Sequence, residues 1–336
     1  MQSHSVAIIG ASGYVGAELT RLVQKHPALN LFGCYVSEHS SDADKLLSDL
    51  YPQYADSLQY PLQTLSSDAK AAIKRSTDTV FLCTDQCVSL NLAPEFLDAG
   101  LKVLDLSGAF RLKETGDYAR FYGFEHTKTQ WLEQAVYGLA EWYADEIKEA
   151  LLVAVPGCYP TAALMALMPL QQAGLLTRTQ IIINAVSGVT GAGRKASLNS
   201  HGAELSLQAY GLFEHRHTPE IAGQLQHDVL FTPHLAHFHR GILATIYVQL
   251  KEGVSDSGLE SAYQCYTKQP LVRCAKQKTP AIKHVVEQPF VDIGWHRQGS
   301  QLIVLSAIDN LLKGAASQAV QCLNLQLGLP IEEGLL

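Results

Sequence analysis

The sequence predicts an α/β chain in two unlike parts, a parallel doubly wound sheet followed by an α+β region with a mixed or antiparallel sheet. Three observations carry this. Up to about residue 157, apolar and partly β-branched runs alternate with helix-like stretches, the pattern of a sheet covered on both faces. A glycine-rich turn separates the first apolar run from the first helix. After residue 158 the strand-like runs lengthen and alternate apolar with polar residues, as sheets with one wet face do.

In order, buried strands are expected at 6–9, 29–36, 79–83, 102–106 and 151–155, with helices at 15–25 and 89–99 between them. A helix is expected over 162–173, then strands at 181–186, 242–250 and 301–308. A last helix over 311–327 follows the cluster 309–314, DNLLKG, and is expected to return to the first part. The domains expected are therefore 1–157 plus 311–336, and 158–310.

At 336 residues, 47% hydrophobic and 17% charged, the chain can bury a large core in two domains. Its net charge of −7 argues against nucleic acid or an anionic membrane as partner. Seven cysteines without a recognisable secretory leader predict a reducing, cytoplasmic setting. The most apolar helix candidate, 164–176, is interrupted by Pro169 and Gly174 and is not expected to span a membrane. No internal repeat or low-complexity segment is visible.

The run 6–9 leads directly into GASGYVG at 10–16 and then a helix. Glycines here permit a tight turn and let a pyrophosphate approach the backbone, while the helix N-terminus holds its charge. Gly10, Ser12, Gly13, Tyr14, Val15 and Gly16 are the expected dinucleotide contacts. Cofactor choice is read at the end of the second strand, where a carboxylate would hold the ribose 2′-hydroxyl of NAD. Ser37 stands there and tolerates a 2′-phosphate, which favours NADP, although Glu38 follows and no arginine is near.

The heptapeptide 155–161, VPGCYPT, places Cys158 between an apolar strand and an apolar helix, with Pro160 suited to the helix's first turn. Helix N–H groups and the positive end of the dipole stabilise a thiolate at such a turn. The other six cysteines read as structural.

Ser107 and Arg111 of SGAFR at 107–111, and Ser187, Gly188 and Gly191 of SGVTGAGR at 187–194, sit on strand-end loops suited to an anion or a nicotinamide end. The segment 215–220, HRHTPE, gathers His215, His217, an arginine and Glu220, enough for an acid/base and a clamp on a charged substrate. His234, His237 and His239 precede Arg240; no companion zinc motif occurs, and no metal is expected.

These motifs, with DNLLKGAA at 309–316, run in order over nearly the whole chain and together resemble the N-acetyl-γ-glutamyl-phosphate reductases, relatives of aspartate-semialdehyde dehydrogenase. The resemblance implies an N-terminal Rossmann-type dinucleotide-binding domain, an α+β catalytic and dimerisation domain, NADP(H) as cofactor, and a homo-oligomer, dimer or tetramer. It implies an acyl-phosphate reductase of arginine biosynthesis, with Cys158 as the thioester-forming nucleophile and His217 as acid/base, His215 being the alternative. Arg111, Ser187, His215, Glu220 and Arg240 are then expected at the substrate, and Ser37, Ser107, Gly188, Gly191 and Asn310 at the cofactor. The residues alone leave open an aspartate-semialdehyde dehydrogenase, a non-enzymatic dinucleotide sensor and a Cys–His hydrolase.

Overall fold

The computed structural model describes residues 3–195 and 201–336. In chain order the elements are β1 (His4–Ile9), α1 (Tyr14–Lys25), β2 (Leu29–Val36), α2 (Leu47–Leu50), β3 (Leu62–Thr64), α3 (Ser67–Ser76), β4 (Thr79–Leu82), α4 (Gln86–Leu97) and β5 (Lys102–Asp105). There follow α5 (Thr115–Tyr122), α6 (Thr129–Gln134), β6 (Val136–Tyr137), α7 (Ala144–Glu149), β7 (Leu152–Ala154), α8 (Cys158–Gln172), β8 (Ile181–Gly188), β9 (Gln208–Ala209) and α9 (His217–Leu225). The chain closes with β10 (Val229–Ala236), β11 (Ile242–Gln249), α10 (Asp256–Tyr263), β12 (Val272–Lys276), β13 (Val291–Gln298), β14 (Gln301–Ile308) and α11 (Ser317–Gln326).

Two compact units result. The first holds the chain up to Thr115, Phe124–Pro156 and Ala315–Leu336; the second holds Gly116–Gly123 and Gly157–Gly314. The short stretch Gly116–Gly123 thus departs from the expected division, since Phe121 helps to line a cavity of the second unit.

The first unit is built on a parallel sheet of order β3-β2-β1-β4-β5-β7-β6. The central strands are almost wholly buried, as continuous Val, Ile, Leu and Phe side chains require when helices cover both faces. Strand order reverses at β1, which pairs with both β2 and β4. The loop after β1 therefore opens at the topological switch point, where parallel sheets bind ligands. Local caps start the flanking helices: Ser66 accepts the Ala69 N–H for α3, and Asp85 accepts the Cys87 N–H for α4. The helix expected from 311 begins as a π turn, Leu312–Ala316, and continues as α11. That helix packs on α1 and α7, and its buried Asn324 and Gln321 bond His26 and Glu141 at 2.9 Å each.

The second unit carries a mixed sheet of order β12-β13-β14-β11-β8-β10-β9. Along β8, β11 and β14 buried and less buried residues alternate, so each strand presents one face to the core. Helix α8 covers that face, packing on β11, β13 and β14, with α9 and α10 beside it. It is apolar on all sides, which fits a core helix. Pro169 inside α8 has no N–H for the Met165 carbonyl, and the Tyr266 hydroxyl donates to that carbonyl at 2.7 Å instead. On the opposite face Ile182, Tyr247 and Ile303 stand side by side on adjacent strands and are exposed.

Candidate active site

In the second unit Gly157 is the N-cap of α8 and Cys158 its first residue. No side chain caps this terminus, so the positive end of the helix dipole bears on the cysteine. Thr161 closes the turn, its N–H and hydroxyl both donating to the Gly157 carbonyl at 2.9 Å. The Gly157 N–H donates to Glu220 Oε1 at 2.9 Å, a bond buried in the protein. Glu220 lies one turn along α9 from His217, whose ring rests on Gly157: a Cβ there would stand 2.8 Å from its Cε1 and 2.9 Å from Cδ2. Behind the cysteine, Gly314 gives room for its Cβ, since a Cβ on Gly314 would come within 2.8 Å of it.

His215 sits beside His217 with ring centroids 4.8 Å apart, and its Nδ1 accepts the His217 N–H at 3.1 Å. Burial, assisted by the neighbouring Arg216 charge, lowers the His215 pKa to about 4. Tyr159, Tyr210 and Phe231 pack edge-on around it at 5.8, 5.4 and 5.3 Å. Tyr159 donates to the His234 carbonyl at 2.9 Å, and burial holds its own ionisation far above the ordinary range. Tyr210 is likewise pushed up to about 12, chiefly by burial. Together these residues border a cavity of about 520 Å³, which Ser187, Gly191, Glu214, Arg216 and Leu235 also line. That volume suits a small metabolite.

Cys158, His215, His217, Ser187 and Gly191 line this cavity, with Glu220 directly behind Gly157. Arg240 does not line it. It was expected to grip substrate, but its guanidinium is locked onto the buried Asp309 carboxylate, Nε–Oδ2 2.7 Å and Nη2–Oδ1 2.9 Å. The cation on the cavity rim is Arg216, which is exposed. Asn310 also has a structural commitment: its Oδ1 accepts from Gly241 N at 2.6 Å and its Nδ2 donates to Thr190 at 3.1 Å. Gly188 is explained by packing, since a Cβ there would meet the Arg240 backbone at 2.7 Å. Tyr159, Tyr210 and Gln208 were not foreseen; only their place near the motifs hinted at them. Among the described residues no group of three or more His, Cys, Asp or Glu could hold a metal, so His234, His237 and His239 do not assemble one.

The first unit offers the dinucleotide features. Gly10 has φ +85°, and a Cβ on it would stand 2.7 Å from the Cys83 carbonyl carbon. A Cβ on Gly16 would meet Ala11 Cα at 2.7 Å. At Gly13 a Cβ would meet only the Gly10 oxygen, at 3.5 Å, so this side of the loop is open to a ligand. Gly13 is the N-cap of α1 and brings no capping side chain, so the N–H groups of Tyr14, Val15 and Gly16 lack helical acceptors. Such a cradle fits a pyrophosphate. Ser12, Tyr14 and Val15 are half-buried in it, and Ser37 is exposed one residue past β2.

The Ser107 hydroxyl donates to Asp105 Oδ2 at 2.8 Å and accepts from Ala109 N at 3.1 Å, which ties the turn together. Burial raises the Asp105 pKa, opposed by Ser89, Ser107 and Arg111. Arg111 donates Nε to the Val155 carbonyl and Nη2 to the Leu106 carbonyl, both at 2.8 Å, which fixes the guanidinium's orientation.

Two family models match the chain: the semialdehyde dehydrogenase NAD binding domain over residues 5–150 and the semialdehyde dehydrogenase dimerisation domain over 158–310. The N-acetyl-gamma-glutamyl-phosphate reductase of Idiomarina loihiensis is 76% identical over 335 residues, covering 100% of this chain and 98% of that protein. Proteins of the same name from Aeromonas hydrophila and Yersinia pestis are 54% and 55% identical; the matches cover 99% and 98% of this chain and the same shares of those proteins. In fold the chain is similar to aspartate semialdehyde dehydrogenase II from Vibrio cholerae complexed with ASA, with TM-score 0.73, 16% identity, and 98% and 99% of the two chains covered. It is also similar to the Candida albicans aspartate semialdehyde dehydrogenase with NADP, with TM-score 0.66, 13% identity, and 96% and 98% covered.

Proposed function

Because the chain belongs to the N-acetyl-gamma-glutamyl-phosphate reductase family, we propose that it reduces N-acetyl-γ-glutamyl phosphate to N-acetylglutamate semialdehyde and phosphate, in arginine biosynthesis, with Cys158 as nucleophile. The single observation that carries the assignment of Cys158 is its place as the first residue of α8, beside the His217 ring and on a cavity of substrate size.

Cys158 Sγ attacks the acyl carbon as His217 takes the thiol proton, and the bond to phosphate breaks with the electron pair leaving on phosphate. The product is a thioester, whose carbonyl accepts hydride more readily than that of an ordinary ester. When bound, NADPH would supply the hydride for reducing this thioester. The oxyanion left by reduction collapses to the aldehyde as the C–S electron pair returns to Cys158 Sγ, which recovers its proton from His217. The first turn of α8 supplies donors for the oxyanion formed at each stage. Glu220 holds the Gly157 N–H and thereby the entry to α8, a positioning role. Arg216 on the cavity rim takes the substrate carboxylate.

The first unit binds NADP(H) through Gly10–Gly16 and Ser37, and the second carries the catalytic groups and the subunit contact. The exposed Ile182, Tyr247 and Ile303 offer an apolar sheet face to a second copy, supporting a homo-oligomer, dimer or tetramer. A cytoplasmic setting is supported by seven cysteines without a disulfide. Among the described residues no helix is long and apolar enough to cross a membrane.

The test runs the reaction backwards: phosphate-dependent NADP reduction with N-acetylglutamate semialdehyde, against aspartate semialdehyde. Turnover of the acetylated aldehyde supports the reading. Preference for aspartate semialdehyde, or reduction without phosphate, overturns it.

A further inference from the structure

We propose that His215 determines specificity for the substrate's acetamido group, its Nε2–H donating to the acetyl carbonyl oxygen; this rests on the reaction assigned above. The tautomer follows from a backbone bond. The His217 N–H can only donate, so His215 Nδ1 is an acceptor and the ring proton resides on Nε2. Nε2 has no hydrogen-bond partner among the described residues, although the ring lines the cavity. Burial and Arg216 keep the imidazole neutral at working pH, so it presents one fixed donor and no acceptor to the cavity.

The position is right for this group. The His217 ring rests on Gly157, next to the nucleophile, and the His215 ring centroid lies 4.8 Å from that of His217 and 5.4 Å from that of Tyr210. In the substrate the acetamido nitrogen lies roughly 5 Å from the acyl carbon at ordinary bond lengths, comparable to the 4.8 Å between the two imidazole centroids. A neutral N–H matches a neutral carbonyl, and the edges of Tyr159 and Tyr210 with Leu235 and Ala192 give an acetyl methyl apolar walls. A cavity that leaves one donor unanswered unless a carbonyl enters discriminates against substrates lacking it.

The test compares kcat/KM for N-acetylglutamate semialdehyde and for 5-oxopentanoate, which has the same aldehyde and carboxylate without the acetamido group. Wild type, His215→Asn and His215→Gln are assayed, with thermal melting to check folding. Asn keeps an oxygen near the Nδ1 position for the His217 N–H but nothing at Nε2; Gln reaches the Nε2 position with an N–H donor. The ratio of the two substrates should fall about tenfold to a hundredfold in Asn and stay near wild type in Gln. Equal damage to both substrates, or a worse ratio in Gln than in Asn, would reduce His215 to a prop for His217 and overturn the proposal. Wild type itself decides if both variants unfold: less than a few-fold preference for the acetylated aldehyde overturns the subsite while leaving the reaction in place. No turnover of the acetylated aldehyde by wild type overturns the reaction itself.

Discussion

The His217 imidazole occupies the space that a Cβ of residue 157 would need, so the glycine before the nucleophile is what lets the acid/base candidate reach it. The Gly157 backbone, at φ −66° and ψ 156°, is open to any residue, so only the contact demands glycine. Gly157→Ala should therefore fold and bind NADPH while kcat/KM falls by about 10²-fold or more, the scale of a 1 Å misplacement at a reacting centre. Steady-state kinetics and NADPH titration check this. Near-normal turnover would mean that the ring is not held against the turn.

Cys158→Ser should abolish reduction and leave NADP(H) affinity almost unchanged. A serine hydroxyl at that helix start stays protonated at neutral pH and is a much poorer nucleophile. The glycine loop after β1 belongs to the first unit and should not register the change. Activity above about a few per cent of wild type would exclude the thioester route.

For His217→Asn, kcat should drop roughly 10²–10⁴-fold, the usual contribution of general acid–base catalysis. His215→Asn should act on KM more than on kcat, because His215 accepts a backbone N–H and is neutral. The opposite split in a pre-steady-state and steady-state comparison would transfer the proton-carrying role to His215.

The parts of the site legible in the sequence are those whose geometry is local. The turn into α8 follows from Pro156-Gly157 between two apolar runs, and the dinucleotide loop from glycines between β1 and α1. What stayed hidden depends on distant partners. Nothing near Arg240 in the sequence announces Asp309, which takes its charge, or Asn310, which takes the Gly241 N–H. Strand β10 is not among the strands expected, and it carries Pro233, a residue that argues against a strand. It is tolerated where the outer neighbour is β9, only two residues long. Likewise α5 gives Phe121 to the cavity although its surroundings in sequence read as the first unit.

His215 also predicts a pH dependence of stability. Its folded pKa, about 4, lies below the ordinary 6.5, so between these values the unfolded chain binds a proton that the folded protein refuses. Its contribution is therefore fully present above about pH 6.5 and is lost as pH falls toward 4. Urea midpoints measured from pH 7.5 to 4.5, on the order of the window set by that shift, should decline in wild type more steeply than in His215→Gln. Parallel declines would show that the imidazole is not held neutral by the fold.

Cofactor preference gives the last test. Ser37 is exposed one residue beyond β2, where a carboxylate would select NAD by holding the ribose 2′-hydroxyl. A serine offers a hydrogen bond to a 2′-phosphate without like-charge repulsion, so wild type should prefer NADP. Ser37→Asp sets a carboxylate beside the dianionic phosphate while giving NAD a ribose partner. The ratio of kcat/KM for NADP over NAD should fall at least about tenfold, which requires only ~1.4 kcal/mol of differential binding. Glu38 is adjacent and also exposed, so Glu38→Gln serves as the control. If the preference belongs to Ser37, that control should leave it nearly unchanged. Equal use of both cofactors by wild type, or a larger change at 38 than at 37, would assign cofactor choice elsewhere.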